Sequence, residues 1–328
     1  MFAGTADAGI CQTWRLTFGH MMSRSLMVRL SFKLSLQWSF MNCFSRIKRL
    51  FDLCLLWLER NVTSELTQED FERNHAFRWE PQGGGGRLIP ITQPLAFDLA
   101  DLVGVEKAVQ RLVANTEQFL HGLPFNHVLL YGERGTGKSS AVRGLLNRYA
   151  DQDLRVIEVH KVDLANVANV LIEIREEPFS FILFCDDLSF DEGESGYREL
   201  KAALEGSLEA PPSNVCIIAT SNRRYLIPQR KSENLAVHVD EDGDLHPGEA
   251  LEEKLALSDR FGLALGFYSF NQETYLSIVR HYVDKVQLDL NPEKLRQEAL
   301  KWALDRSSRS GRTAKQFVDD LVGRNALG

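Results

Sequence analysis

The octapeptide Gly132-Glu133-Arg134-Gly135-Thr136-Gly137-Lys138-Ser139 follows an apolar run, His127–Tyr131, and opens a stretch of helical character. This GxxxxGK[ST] spacing, set between a strand and a helix, is what phosphate binding requires. The glycines let backbone N–H groups curl around a β-phosphate, a lysine bridges β- and γ-phosphates, and a hydroxyl at a helix N-terminus ligates Mg²⁺. Lys138 and Ser139 take the last two places, and Ser140 extends the predicted nucleotide-binding stretch. Downstream, Phe179–Asp187 reads FSFILFCDD, an apolar strand ending in two acids. Asp186 is placed to hold the Mg²⁺ shell, and Asp187 to polarise a water attacking the γ-phosphate. A turn capped by Asp-Asp is the plain alternative. A third run, Asn214–Asn222, ends in Asn222, an amide suited to orienting that water, although Thr-Ser-Asn is also a common turn.

These residues need a scaffold that brings three strand ends together. From about residue 95 the chain alternates short apolar runs with helical stretches, which predicts an α/β fold. Strands are expected at His127–Tyr131, Leu154–Val159, Phe179–Cys185, Asn214–Thr220 and Gly262–Phe267, with helices near 138–150, 163–176, 196–208 and 249–257. Three helical patterns follow without strands, Gln272–Val286, Pro292–Asp305 and Arg312–Val322. The expected fold is a five-stranded parallel P-loop sheet between helices, a C-terminal all-helical lid and a helical or irregular N-terminal region. Four segments result: an extension, 1–46; a helical region with a Gly-rich linker, 47–94; a nucleotide-binding domain, 95–268; and the lid, 269–328. Gly83–Gly86 read as a hinge or turn.

Composition narrows the class. The 328 residues are 44% hydrophobic and 25% charged, which excludes disordered, collagenous and small disulfide-framed classes. The formal charge is −7, but residues 1–51 hold seven Lys/Arg and one acid, so the rest carries 31 basic and 44 acidic side chains. An acidic body argues against a surface that grips nucleic acid or anionic lipid as a whole. Residues 1–46 read either as an organelle transit segment or as an over-extended start. Ile47–Arg60 is apolar but too short to span a bilayer. The five cysteines form no CxxC pair, and Cys185 and Cys216 fall in apolar strands; reduced thiols in a cytoplasmic compartment are expected, or an organellar one if the leader is genuine. Seven histidines, His75 to His281, show no metal-ligand spacing.

The order DLVGVE (Asp101–Glu106), GERGTGKS, ILFCDD, ATSN, LSDRFG (Leu257–Gly262) and SGR (Ser310–Arg312) resembles the AAA+ ATPases. The strings GERGTGKSS, LFCDDLSF, ATSNRRYLIP, DRFGL and SGRTAKQFV are similar to a bacterial family of AAA+ proteins known as domain of unknown function 815. The resemblance implies that Gly132–Ser139 is Walker A, Asp186 and Asp187 Walker B, Asn222 sensor 1, Arg260 an arginine finger and Arg312 sensor 2. Leu102 and Val103 would flank the adenine. ATP and Mg²⁺ are the implied cofactors, and a homo-oligomeric ring, a hexamer, the implied assembly, acting on a protein or nucleic-acid client. Asp187 replaces the more common Glu, which points to slow turnover. From the residues alone Arg260 also reads as a surface arginine paired with Asp259 or another acid. The cluster Arg223, Arg224, Arg230 and Lys231 reads as a solvated loop, an intersubunit phosphate environment or a client contact. Two other functions remain open: a nucleotide-dependent binding switch with little turnover, and a P-loop small-molecule kinase, for which LSDRFG and SGRTAKQF are superfluous.

Overall fold

The computed structural model describes residue 49 and residues 66–82, 85–190, 195–206, 210–224, 226, 238–239, 245–246 and 257–327. All but the first belong to the unit Glu65–Gly328. The expected extension 1–46, the helix over 47–60 apart from Arg49, the acidic loop Asp240–Asp244, Arg230, Lys231 and most of the 249–257 helix lie outside the described residues.

Among the described residues, seven strands form the main sheet. They are β1 (Ala76–Gln82), β2 (Gly85–Pro90), β3 (Val128–Gly132), β4 (Leu154–Glu158), β5 (Ser180–Cys185), β6 (Val215–Ser221) and β7 (Leu263–Phe267). The order across the sheet is β2-β1-β4-β5-β6-β3-β7. Every neighbouring pair is parallel except β1 with β2. The five expected parallel strands are present, and β1 and β2 extend them.

The central strands read as unbroken apolar runs because both faces are covered. Leu129, Phe181, Leu183 and Ile217 enter a core shared with helices α1 (Gln68–Arg73), α4 (Val167–Ile174) and α5 (Ser195–Glu205). Their alternate neighbours Val128, Leu130, Ile182 and Ile218 enter a second core with α2 (Glu106–Leu120) and α3 (Lys138–Tyr149). Each such side chain contributes about 1.5–3 kcal/mol of burial. Cys185 and Cys216 are buried, one in each core, and burial pushes both thiols up to about 12, which leaves them unreactive at neutral pH.

The N-terminal portion departs from the expected helical or irregular region. Among the described residues of 66–90, the short α1 is followed by a β-hairpin, with Phe77 opposite Pro90 and Trp79 opposite Leu88. Gly85 and Gly86 lie in β2, so the described part of the glycine tract is strand and not hinge. The reason is packing: a Cβ on Gly86 would fall 2.3 Å from the Trp79 ring. Arg155 of β4, 3% exposed, ties α1 to this edge. Its Nε donates to the Phe71 carbonyl at 2.6 Å, and its guanidinium lies 4.5 Å from the Phe179 ring centre.

The C-terminal helices α6 (Gln272–Lys285), α7 (Pro292–Asp305) and α8 (Gly311–Leu327) enclose a third core that includes Tyr275, Val279, Ala299 and Phe317. Each start is capped by a short polar side chain: Asn271 Oδ1 accepts from Thr274 N–H, Asn291 Oδ1 from Glu293 and Lys294, and Ser310 Oγ from Thr313.

Candidate functional site

β3 stands between β6 and β7, two strands that come later in the chain and lie on opposite sides of it. In an open parallel sheet such a reversal leaves a crevice beyond the carboxyl ends of the strands. The phosphate-loop sequence leaves β3 there, and the turns after β5 and β6 flank it. A cavity of about 980 Å³ opens at this point, bounded across the gap by the lid helices.

The polar residues of the cavity are tightly bonded. Lys138, 7% exposed, donates from Nζ to the Gly132 and Glu133 carbonyls, both at 2.7 Å, and to Asn222 Oδ1 at 3.2 Å. Desolvation lowers its pKa, against the opposing pull of Asp187 and Asp186. Thr136 Oγ1 donates to the Glu133 carbonyl at 2.8 Å, closing the loop on itself. Ser139 Oγ donates to Asp186 Oδ1 at 2.7 Å. A hydroxyl and a carboxylate so placed are the hard oxygen ligands Mg²⁺ takes, and the donor set fits that ion together with a polyphosphate. Asp187 has a left-handed backbone, φ +53°, and its Oδ1 accepts from Asn222 Nδ2.

Thr220, at the end of β6, carries no signal in the sequence that marks it as a site residue. Its hydroxyl donates to Asp186 Oδ1 at 2.5 Å and accepts from the Asp187 N–H at 2.8 Å.

The lining also includes the apolar side chains Leu95, Phe97, Leu102, Val103, Phe270, Ile278 and Tyr282. Leu102 and Val103 thus line the same cavity as the phosphate loop, joined by Phe270, Ile278 and Tyr282, which sequence reasoning does not name. Asp101 also lines the cavity. It accepts from Lys285 Nζ at 2.8 and 2.6 Å and pairs with His281 Nε2 at 2.8 Å, both from α6. Burial alone would raise the Asp101 carboxyl, but the bonds and charges of Lys285 and His281 together outweigh it and hold it below the usual carboxylate range.

The cavity brings together Arg134, Gly135, Thr136, Gly137, Lys138, Ser139, Ser140, Asp186, Asp187, Asn222, Leu102, Val103 and Arg312. Gly132 and Glu133 sit beneath, presenting the carbonyls that hold Lys138. Arg312 enters from the lid, its backbone N–H donating to the Gly135 carbonyl at 3.3 Å. Arg260 is not among the lining residues; its guanidinium pairs with Glu205 at the end of α5. That acid is far from Arg260 in the chain, whereas the partner its sequence neighbourhood suggests is Asp259. Arg224 lies 5.9 Å from the ring centre of Tyr131, whose hydroxyl is 3.1 Å from that of Tyr268.

A family model described as "Protein of unknown function (DUF815)" matches residues 72–325, and the chain belongs to that family. No curated protein matches it. Solved structures with a similar course include a point variant of Thermotoga maritima RuvB, 14% identical with a TM-score of 0.43. Another, the RuvB Holliday junction branch migration motor of the same organism, is 12% identical with a TM-score of 0.43; each match covers 68% of this chain and 72% of the other. At these values the likeness supports no inference about this chain, whose fold rests on its own strands and helices.

Proposed function

We propose that this member of the DUF815 family binds Mg-ATP in the cavity between sheet and lid and hydrolyses it slowly, as an AAA+ ATPase. The observation that carries this reading is the convergence of Lys138, Ser139, Asp186, Asp187 and Asn222 on one cavity whose lining also includes the apolar Leu102, Val103, Phe270 and Tyr282. That mixed lining suits a triphosphate joined to a purine.

In this reading the loop binds the β- and γ-phosphates, with Lys138 exchanging its carbonyl partners for phosphate oxygens. Ser139 and Asp186 hold Mg²⁺, which when bound neutralises charge on the phosphates. Asp187 accepts a proton from the attacking water, whose oxygen bonds to the γ-phosphorus as the bond to the β-phosphate oxygen breaks, leaving ADP and inorganic phosphate. Asn222 orients that water. Arg260 acts on the γ-phosphate of a neighbouring copy in a ring; an arginine supplied in this way is worth about 10³–10⁵ in rate in GTPases. Arg312 couples nucleotide state to the lid. The product of the cycle is remodelling or loading of a macromolecular client, protein or nucleic acid. Among the described residues no helix is long and apolar enough to cross a membrane.

One observation favours the switch as a second reading. Asp187 is a short carboxylate already engaged by Asn222, and Arg260 is engaged by its own Glu205, an arrangement that suits binding better than rapid turnover. Measuring ATP hydrolysis against protein concentration, with light-scattering mass alongside, separates the two. Turnover per subunit that rises with a ring-sized mass supports the shared-site ATPase. Tight binding without turnover supports the switch, and absence of binding refutes both.

A further inference from the structure

We propose that Thr220 is a positioning residue for both Walker B carboxylates, setting through one hydroxyl the orientation of Asp186 toward the metal and of Asp187 toward the attacking water. The inference rests on the Mg-ATP reading above.

Thr220 is 1% exposed, and its hydroxyl has one proton to give. That proton goes to Asp186 Oδ1 at 2.5 Å, so the Asp187 N–H, 2.8 Å away, must be received by an oxygen lone pair. The direction of both bonds is thereby settled. Asp186 Oδ1 also receives the Ser139 hydroxyl at 2.7 Å. Two donors on one carboxylate oxygen fix the plane of the group and leave Oδ2 for the metal shell. The second bond fixes the peptide that joins the two acids. Asp187 adopts φ +53°, a conformation costly for a residue with a side chain, and the part-buried N–H bond at that peptide supports it. In this conformation its carboxylate meets Asn222.

The same strand end grips the next residue independently. Leu188 N–H donates to the Thr220 carbonyl at 2.7 Å, and Ser221 Oγ donates to the Leu188 carbonyl at 2.7 Å. Neither bond uses the Thr220 side chain. Loss of the hydroxyl should therefore leave the turn folded and release only the aim of the two carboxylates.

Thr220→Val keeps the shape and removes the hydroxyl, whereas Thr220→Ser keeps the hydroxyl and removes the methyl. We expect Thr220→Val to lower kcat about 10- to 100-fold, as displacements near 1 Å in a reacting site do, with KM for ATP changed less than about threefold. Binding of Mg²⁺-free ADP should stay close to wild type and the melting temperature should fall only by the amount the two lost hydrogen bonds require, while the factor by which Mg²⁺ tightens nucleotide binding should fall. Thr220→Ser should recover both kcat and the Mg²⁺ effect. Unchanged kcat and Mg²⁺ effect in Thr220→Val would overturn the proposal. So would equal damage in Thr220→Ser, or loss of Mg²⁺-free binding in Thr220→Val. If the wild type binds nucleotide without turnover, hydrolysis fails as the function and the Mg²⁺ effect alone decides for or against Thr220. If it binds none, both readings fall.

Discussion

Gly135→Ala tests whether the lid must sit on the phosphate loop for nucleotide to bind. Gly135 has φ +76°, and a Cβ there would lie 2.8 Å from Ser310 Oγ, 3.0 Å from Ser310 Cβ and 3.3 Å from Arg312 Cβ. The substitution carries two costs, and they act on different states. The left-handed backbone costs a residue with a side chain about 1–2 kcal/mol whether or not the lid is seated. The collision with Ser310 costs about 1–3 kcal/mol only when it is seated. The first should appear in urea or thermal unfolding. The second should appear as weaker ATP binding, by roughly 5- to 150-fold at 1.4 kcal/mol per decade. Ser310→Gly removes the two nearest of these atoms and leaves the milder Arg312 Cβ contact, at a cost of only a few tenths of a kcal/mol at the α8 cap. Titrating a fluorescent ATP analogue into the single and double variants closes a double-mutant cycle. Recovery of affinity in Gly135→Ala/Ser310→Gly is the expected result. Equal affinity in the single and double variants would refute the role assigned to lid seating and leave backbone strain as the cause.

Arg260→Ala should cut turnover per subunit by about three orders of magnitude or more while ATP affinity stays within error; turnover retained at ring-forming concentrations would remove Arg260 from the reaction. Asp101 has a lowered carboxyl pKa in the fold, so its contribution to stability is present above its unfolded value of 3.8 and is lost as pH falls through the lower folded value. Asp101→Asn should therefore lower stability near pH 7 by about 1–2 kcal/mol and steadily less on acidification below about pH 4, as melting across the acid range would reveal; an equal loss at both ends contradicts the lid clamp. Arg155→Met relieves the desolvation of a buried cation but leaves the carbonyls of Phe71, Ala150 and Leu154 without its donors. With charged hydrogen bonds at about 1.5–3 kcal/mol each, the lost bonds should win, and an unshifted urea midpoint would refute that balance.

How much of the molecule is legible in its sequence depends on how local each signal is. The phosphate loop, the two acids and Asn222 each end an apolar strand, so their strand-end placement can be read from a few consecutive residues. The alternation Phe77-Arg78-Trp79-Glu80 is equally local, but the glycines after it dominate the reading. They mark a break unless one knows that the Trp79 ring lies across Gly86. Helix α2 carries a readable pattern too, its buried Val109, Leu112, Thr116 and Phe119 spaced three and four apart. Thr220 has no such signal, because a threonine in a strand is ordinary and its importance depends on Asp186, which lies 34 residues earlier. The Asp101 clamp depends on Lys285, separated by 184 residues. Pairings of this kind come from the order of strands and the seating of the lid, and no local pattern encodes them.

The chain satisfies its own site charges, and this bears on how the proposed reaction is powered. Lys138 has three internal acceptors, Asp186 receives two hydroxyls, Asp187 is met by Asn222, and Arg260 by Glu205. Nucleotide binding is then an exchange of bonds, and each exchange between charged groups is worth about 1.5–3 kcal/mol, below the roughly 4–6 kcal/mol of an isolated bond. Affinity must accumulate over many loop contacts and over burial of the base among Leu102, Val103, Phe270 and Tyr282. Rate is affected differently. A carboxylate held by Asn222 has to release that amide before both groups can face the same water, and an arginine held by Glu205 has to leave its partner before it can serve a neighbouring site. Each release raises the barrier to hydrolysis without weakening the bound state. A slow ATPase whose turnover depends on assembly is the behaviour these internal pairings favour, and Glu205→Gln, by freeing Arg260 from a full charge, should raise turnover per subunit at ring-forming concentrations and leave that of the unassembled chain unchanged.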